Sequence, residues 1–155
     1  MMVPDLPRFS IAVLLTVMMT GCTEEVEITT AYQPIVDTQQ FMNWILDPNA
    51  DVIWGAAGTI TTFEGVEDLA PTTQEGWDAV RNAAATLAEG GNLLQIPGHS
   101  RGDDWNEISR GLTATAVLLI DAAERKDDEL VFDYGGQLYN VCVACHQLYI
   151  LPGAD

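Results

Sequence analysis

Thiol and imidazole side chains lie close together near the C-terminal end of the chain, in the sequence Cys142-Val143-Ala144-Cys145-His146. The C-x-x-C-H pattern is the attachment signature of a c-type haem, in which the thiols add across the two vinyl groups and the adjacent imidazole ligates the iron. On a helix, a spacing of three residues brings both sulfur atoms to one side. The motif therefore predicts one covalently bound haem c, attached through Cys142 and Cys145 and ligated by His146.

Two other chemistries are compatible with these residues. A C-x-x-C pair is also the redox motif of thioredoxin-like proteins, but those proteins place it in a βαβ setting, which this sequence lacks. Zinc is the second alternative, because Cys142, Cys145, His146 and the distant His99 would supply four ligands of the kinds that zinc prefers.

The N-terminal segment has the features of an export signal. Arg8 precedes twelve apolar or small residues, from 9 to 20, a run too short to span a bilayer. The cysteine directly after Thr-Gly resembles a bacterial lipobox, so we predict a leader over residues 1–21, a lipid anchor at Cys22 and a tether over residues 22–36. Ordinary cleavage nearby, with Cys22 left unmodified, is the alternative.

Export agrees with the haem prediction, because bacterial haem c is attached outside the cytoplasm. No aspartate follows Cys22 directly. By resemblance to enteric sorting rules, this implies a periplasm-facing protein anchored in the outer membrane.

The chain is strongly acidic: six Lys and Arg residues against 23 Asp and Glu residues give a net charge of −17. Nucleic acid is excluded as a partner, because phosphate contacts require a basic surface. The charges are scattered along the sequence, so a solvated surface is the simpler interpretation and steering toward a basic redox partner is the alternative. Cleavage after residue 21 would leave 134 residues, enough for one domain with a hydrophobic core.

Apolar residues recur at intervals of three and four, and no segment alternates as a half-buried strand would. Four helices with short connections predict an all-α fold, an up-down-up-down four-helix bundle over residues 37–151. The first expected helix runs from Asp37 to Ile60 with a kink or restart at Asp47-Pro48. The second begins at Thr72 and is ended by Pro97-Gly98, the third begins at Asp104, and the fourth begins near Asp127. The last three helices are each expected to bury one face. The residues expected to be buried are Trp77, Val80, Ala84, Leu87, Gly91 and Leu94 in the second helix, Trp105, Ile108, Leu112, Ala116, Leu119 and Ala123 in the third, and Val131, Tyr134, Leu138, Val141, Cys145 and Leu148 in the fourth.

An exported all-α chain with C-x-x-C-H on its last helix resembles the class II c-type cytochromes, the cytochrome c′ family. The resemblance extends over residues 37–151, is most specific from Cys142 to Tyr149, and includes Phe41-Met42 followed by Trp44 in the first helix. It implies a haem among the helices and a role in electron transfer or in the binding of small gases.

Met42 is the candidate for a second iron ligand. An up-down bundle places the start of the first helix and the end of the fourth at the same end. Met42 and His146 then lie at similar depths, within a few ångströms at about 1.5 Å per residue. Met42 is also the only methionine outside residues 1–21. The alternative is a core methionine beside an open coordination site.

The connection between the second and third helices lies at the same end, and the resemblance makes its residues candidates for the haem edge. Arg101 is expected to pair with a propionate, His99 to contact a propionate or act as a reserve ligand, and Trp105 to pack near the haem. For His99 the alternative is a solvent-facing loop position. Trp54 and Trp77 are expected toward the other end, as core residues.

These features leave three functions open. The first is an electron carrier with methionine–histidine ligation and a redox protein as partner. The second is a five-coordinate haem protein that binds nitric oxide or carbon monoxide, and the third is a lipoprotein whose haem is structural. No acid–base constellation accompanies the motif, so we expect no enzymatic activity. A homodimer is compatible with all three.

Overall fold

The computed structural model of the chain describes residues 32–150. The predicted leader, the lipid anchor at Cys22, residues 22–31 of the tether and residue 151 lie outside the described residues. Within residues 32–150, 69% of the positions are helical and 7% lie in strands, so the predicted all-α class is confirmed. No helix of this part of the chain is both long and apolar enough to cross a membrane.

The first helix is continuous but contains one wide turn. It comprises α1 (Thr38–Phe41), a π-helical segment (Met42–Leu46) and α2 (Asp47–Trp54). Asp37 is the N-cap of α1. The Asp37 carboxylate accepts a hydrogen bond from the Gln40 backbone N–H at 2.8 Å, and the Gln40 side chain accepts one from the Asp37 N–H at 3.1 Å. This reciprocal pair satisfies two donors that a helix start leaves free.

The π-helical segment accommodates Pro48. Proline has no N–H, and inside an α-helix its ring clashes with the carbonyl four residues earlier. Here the turn before it is wider: the Asp47 N–H donates to the Met42 carbonyl, five residues back. The Asn49 side-chain amide donates to the Ile45 carbonyl at 2.6 Å. The predicted restart at this point is confirmed: after the wider turn, α2 begins at Asp47 with Pro48 in its first turn.

A β-hairpin follows the first helix, where the sequence predicted helix as far as Ile60. Strands β1 (Thr59–Thr62) and β2 (Gly65–Asp68) are antiparallel. Gly58, whose φ is +89°, starts the hairpin with a backbone conformation that favours glycine, and the threonines of β1 favour a strand. Every residue of both strands is exposed, so neither strand has one buried and one exposed face. The predictions of a longer helix and of no strands are wrong.

Three long helices complete the fold: α3 (Gln74–Leu93), α4 (Asp103–Arg125) and α5 (Asp128–Tyr149). Each begins within two residues of its predicted start. The Thr73 hydroxyl accepts from a backbone N–H in the first turn of α3, and the Asp127 carboxylate does the same for α5. Side-chain caps of this kind explain why the two starts could be predicted from the sequence.

Each of the helices α2, α3, α4 and α5 packs against two of the others. Helix α3 contacts α4, α4 contacts α5, and α2 contacts both α3 and α5. The approach of α4 to α3 depends on Gly91, where an added Cβ would lie 2.8 Å from the Ser109 carbonyl oxygen and overlap the Thr113 side chain. The Thr113 hydroxyl donates to the Ala88 carbonyl across this contact at 3.2 Å. Only glycine leaves room for that approach.

The core lies between these helices and contains most of the predicted positions. The buried ones are Trp77, Val80, Ala84, Leu87, Gly91, Leu94, Trp105, Leu112, Ala116, Leu119, Ala123, Val131 and Leu138. Leu148 is an error of the prediction, since its side chain is 62% exposed. Tyr149, the next and last residue of α5, takes the inward position instead and packs edge-on against Trp105, with ring centroids 4.8 Å apart.

Candidate haem-binding site

The C-x-x-C-H motif occupies the last turns of α5, inside a continuous helix. The Cys142 and Cys145 side chains are half-buried free thiols that pack against the hydrophobic core, whereas His146 is exposed. Because helical spacing fixes these three side chains relative to one another, the motif is a rigid group of donors.

Both thiols and His146 line a cavity of about 410 Å³ between the helices. This volume lies within the range of about 300–1,000 Å³ that is usual for ligand pockets. Most of the wall is apolar and comes from the first helix and from α3, α4 and α5. The apolar residues include Leu46, Ala50, Leu87, Leu94, Ile108, Leu112 and Val141. Such walls exclude water from a bound group.

Met42 lines the same cavity. It is half-buried at the first position of the π-helical segment, and Asn43 and Leu46 of that segment also line the cavity. The arrangement thus brings one thioether, two thiols and one imidazole to a single apolar space. These donors match the chemistry of haem c, which needs two thiols for attachment and soft or imidazole ligands for iron.

The surroundings of the thiols also bear on the redox-dithiol alternative. Burial raises the pKa of Cys142, and Cys145 and Asp47 raise it further. Burial also raises the pKa of Cys145, while the nearby Arg101 acts in the opposite direction. Reactive dithiols instead have lowered pKa values, often at helix N-termini. This pair lies at a helix C-terminus and has raised pKa values, so the environment does not favour disulfide exchange.

The zinc alternative required His99 to approach the motif. Across residues 32–150, no group of three or more His, Cys, Asp and Glu side chains lies close enough together to hold a metal ion. The described geometry therefore offers no preformed four-ligand zinc site.

His99 is buried, with 5% of its surface exposed, and stacks on Phe41 with ring centroids 5.3 Å apart. The solvent-facing alternative for His99 is therefore wrong. Its Nδ1 atom is buried without a hydrogen-bond partner among the described residues. His99 does not line the cavity; it packs on Phe41, the residue that precedes Met42. Its role toward a haem stays a prediction.

Arg101 and Trp105 form a stack beside the site. The Arg101 guanidinium lies 5.0 Å from the centroid of the Trp105 ring, a cation–π distance. The Trp105 indole N–H donates to the Leu94 carbonyl at 2.7 Å, and the ring contacts Tyr149. Neither residue lines the cavity. Their predicted contacts with the haem edge also stay predictions.

Two aromatic residues of the cavity wall were not predicted there. Trp54 was expected as a core residue toward the other end, but it lines the cavity together with Tyr139. The two rings meet edge-on with centroids 6.1 Å apart, and the Trp54 indole N–H donates to the Gly135 carbonyl at 3.0 Å. Tyr139 could have been found from its spacing, because it lies three residues before Cys142 on the same helix.

No family model matches the chain, and the searches of curated proteins and of solved structures gave no match either. The assignment of the site therefore depends on its own residues and on the cavity that they share.

Proposed function

We propose that this chain is a covalent haem c protein that carries electrons and is not an enzyme. The observation that carries the proposal is the shared lining of one apolar cavity by Met42, Cys142, Cys145 and His146. The first residue lies in the first helix and the other three in the last, so the sequence motif alone does not bring them together.

Each of these residues has a distinct task in the proposal. Cys142 and Cys145 would hold the haem by thioether bonds, and His146 and Met42 would ligate its iron. The haem supplies one-electron chemistry at its iron, and a methionine–histidine pair raises the reduction potential. Leu87 and Leu112 are buried walls of the cavity, which exclude water and thereby favour the less charged, reduced state.

The finer topology is part of the proposal. We infer an up-down-up-down four-helix bundle in which the hairpin is an insertion between α2 and α3. This is supported by the contacts of α3 with α4, of α4 with α5, and of α2 with both α3 and α5. The bundle, with the motif on its last helix, supports similarity to the class II c-type cytochromes.

We further propose that the mature chain is lipid-anchored through Cys22 in the bacterial cell envelope and faces the periplasm. The sequence pattern of residues 1–22 supports this location. Haem attachment on the same side of the membrane follows from it.

The haem assignment is tested by staining and by spectroscopy of the purified mature protein. Haem-linked peroxidase staining should survive denaturing electrophoresis and should vanish in the Cys142→Ala, Cys145→Ala double variant. Staining that persists in the double variant would contradict the assignment. A reduced spectrum with sharp low-spin bands that resist carbon monoxide would support electron transfer. A high-spin spectrum that responds to carbon monoxide would favour gas binding instead.

A further inference from the structure

The positive charges of the chain are segregated in the fold. No Lys or Arg occurs between residues 32 and 80 or between 127 and 150. These ranges contain α1, the π-helical segment, α2, the hairpin and α5. The cations of the described residues are Arg81, Arg101, Arg110, Arg125 and Lys126, and all belong to α3, α4 or their flanking loops.

Ion pairs reinforce this asymmetry. In the described part of the chain they join Arg81 to Asp78, Arg110 to Glu107, and Arg125 to Asp121 and Asp127. The exposed carboxylates of α2, of the hairpin and of the body of α5 take no part in them.

Those exposed carboxylates include Asp51 on α2, Glu64 and Glu67 at the hairpin, and Glu129 and Asp133 on α5. Because α2 contacts α5 directly, Asp51, Glu129 and Asp133 lie on two adjacent helices, and the outer side of this pair carries no Lys or Arg. We call this side the α2–α5 face. It is acidic without compensating cations, although the sequence as a whole suggested scattered charge.

An apolar groove crosses the same face. It has a volume of about 330 Å³ and is lined by Ile53 and Trp54 of α2 and by Val131, Phe132, Gly135 and Tyr139 of α5. Phe132 is 61% exposed and Tyr139 is 57% exposed, so two aromatic rings of the groove contact solvent. Exposed aromatic side chains at a groove are typical of binding surfaces.

The groove is continuous with its surroundings on both sides. Trp54 and Tyr139 line the groove as well as the candidate haem cavity, so they separate the two. On the other side, Phe132 lies against Gly58 at the base of the hairpin, where an added Cβ would be 3.3 Å from its ring. The face therefore runs from the hairpin across the groove to the wall of the cavity.

We propose that the α2–α5 face docks a protein with a lysine- or arginine-rich surface, and that one cationic side chain of this partner enters the aromatic groove. Carboxylates around the groove attract such a surface, and Trp, Tyr and Phe rings bind cations by cation–π interactions. A second copy of this chain is a poor occupant, because it would bring a face of the same negative charge. The proposal extends the electron-carrier role, since the groove adjoins the cavity, but docking itself does not require a haem.

The test uses the mature protein and, as the probe, a lysine-rich cytochrome c of the mitochondrial type. Binding is measured at about 0.01 M and about 0.15 M salt. The Asp51→Asn, Asp133→Asn double variant should bind about 3- to 10-fold more weakly at low salt. The matched control is Glu89→Gln with Glu124→Gln, which removes the same charge from exposed positions of α3 and α4 and should change binding less than twofold, a negligible effect by comparison.

A second pair of variants tests the groove. Phe132→Ala should weaken binding about fivefold or more, whereas Leu118→Ala, at an exposed apolar position of α4, should not. Carbodiimide cross-linking, which joins lysines to carboxylates in contact, should link the probe to Asp51, Glu129 or Asp133. No binding, equal losses in both pairs, or cross-links confined to α3 and α4 would overturn the proposal. If the wild-type protein binds the probe but shows no haem staining, the haem assignment is contradicted and the docking proposal is not.

Discussion

Two replacements of Met42 distinguish the contribution of its sulfur atom from the contribution of its side-chain volume. Met42→Leu keeps nearly the same volume and removes the thioether, whereas Met42→Ala removes both. If Met42 ligates the iron, both variants should become high-spin, respond to carbon monoxide and fall in reduction potential, because methionine ligation favours ferrous iron. No other methionine lies outside residues 1–21 to replace it.

The expected cost in stability differs between the two variants. Truncation of a fully buried methionine to alanine costs about 2–5 kcal/mol. Met42 is only half-buried at the cavity, so we expect about half of that, about 1–2.5 kcal/mol, for Met42→Ala. Met42→Leu conserves volume and should cost less than about 1 kcal/mol.

The assay is an absorption spectrum of each variant with and without carbon monoxide, beside urea unfolding of the same preparations. Ile45→Ala is the matched control, because Ile45 is a half-buried residue of the same π-helical segment that does not line the cavity. It should lose stability and keep the wild-type spectrum. A wild type that is already high-spin, with bands that Met42→Leu leaves in place, would refute ligation by Met42 and favour the gas-binding function.

Three further predictions concern the fold and the anchor. Gly91→Ala should destabilise the protein by about 1–3 kcal/mol through overlap with α4. Gly111→Ala, whose added Cβ would meet only Val141 at 3.9 Å, should stabilise it by up to about 1 kcal/mol. If urea unfolding shifted both variants in the same direction, the close approach at Gly91 would be contradicted. Trp54→Phe removes the hydrogen bond to Gly135 and should cost about 1 kcal/mol, again measured by urea unfolding; an unchanged midpoint would mean that this bond contributes no net stability. Cys22→Ser should move the protein from the membrane to the soluble fraction with its haem content unchanged; a variant that stays with the membrane would rule out Cys22 as the anchor.

The parts of the fold that could be predicted are those in which burial leaves a periodic pattern. Helices α3, α4 and α5 bury one face each, and the caps at Thr73 and Asp127 mark two of their starts. The C-x-x-C-H spacing likewise selected three residues that line one cavity of the structure, because all three lie within five consecutive residues. Local information was sufficient in both cases.

The remaining features depend on contacts or on bonding that a pattern does not encode. Both strands of the hairpin are exposed on both faces, so no alternation identifies them. Pro48 indicated a kink or restart, but it did not indicate the i→i−5 hydrogen bond that precedes α2. Trp54 reaches the cavity because α2 contacts α5, a long-range contact that periodicity within one helix cannot predict.

The π-helical segment also has a consequence for motion. The two walls of the cavity differ in how firmly the backbone holds them. Cys142, Cys145 and His146 lie in a helix of 22 residues, whereas Met42 opens a five-residue segment of wider hydrogen bonding. Short runs of imperfect helix open locally at lower free energy than regular helix about two turns from its end, where Cys142 lies. We therefore expect amide hydrogen exchange to be faster around Met42 than around Cys142. The helix that carries Met42 should then open before the helix that carries Cys142 does.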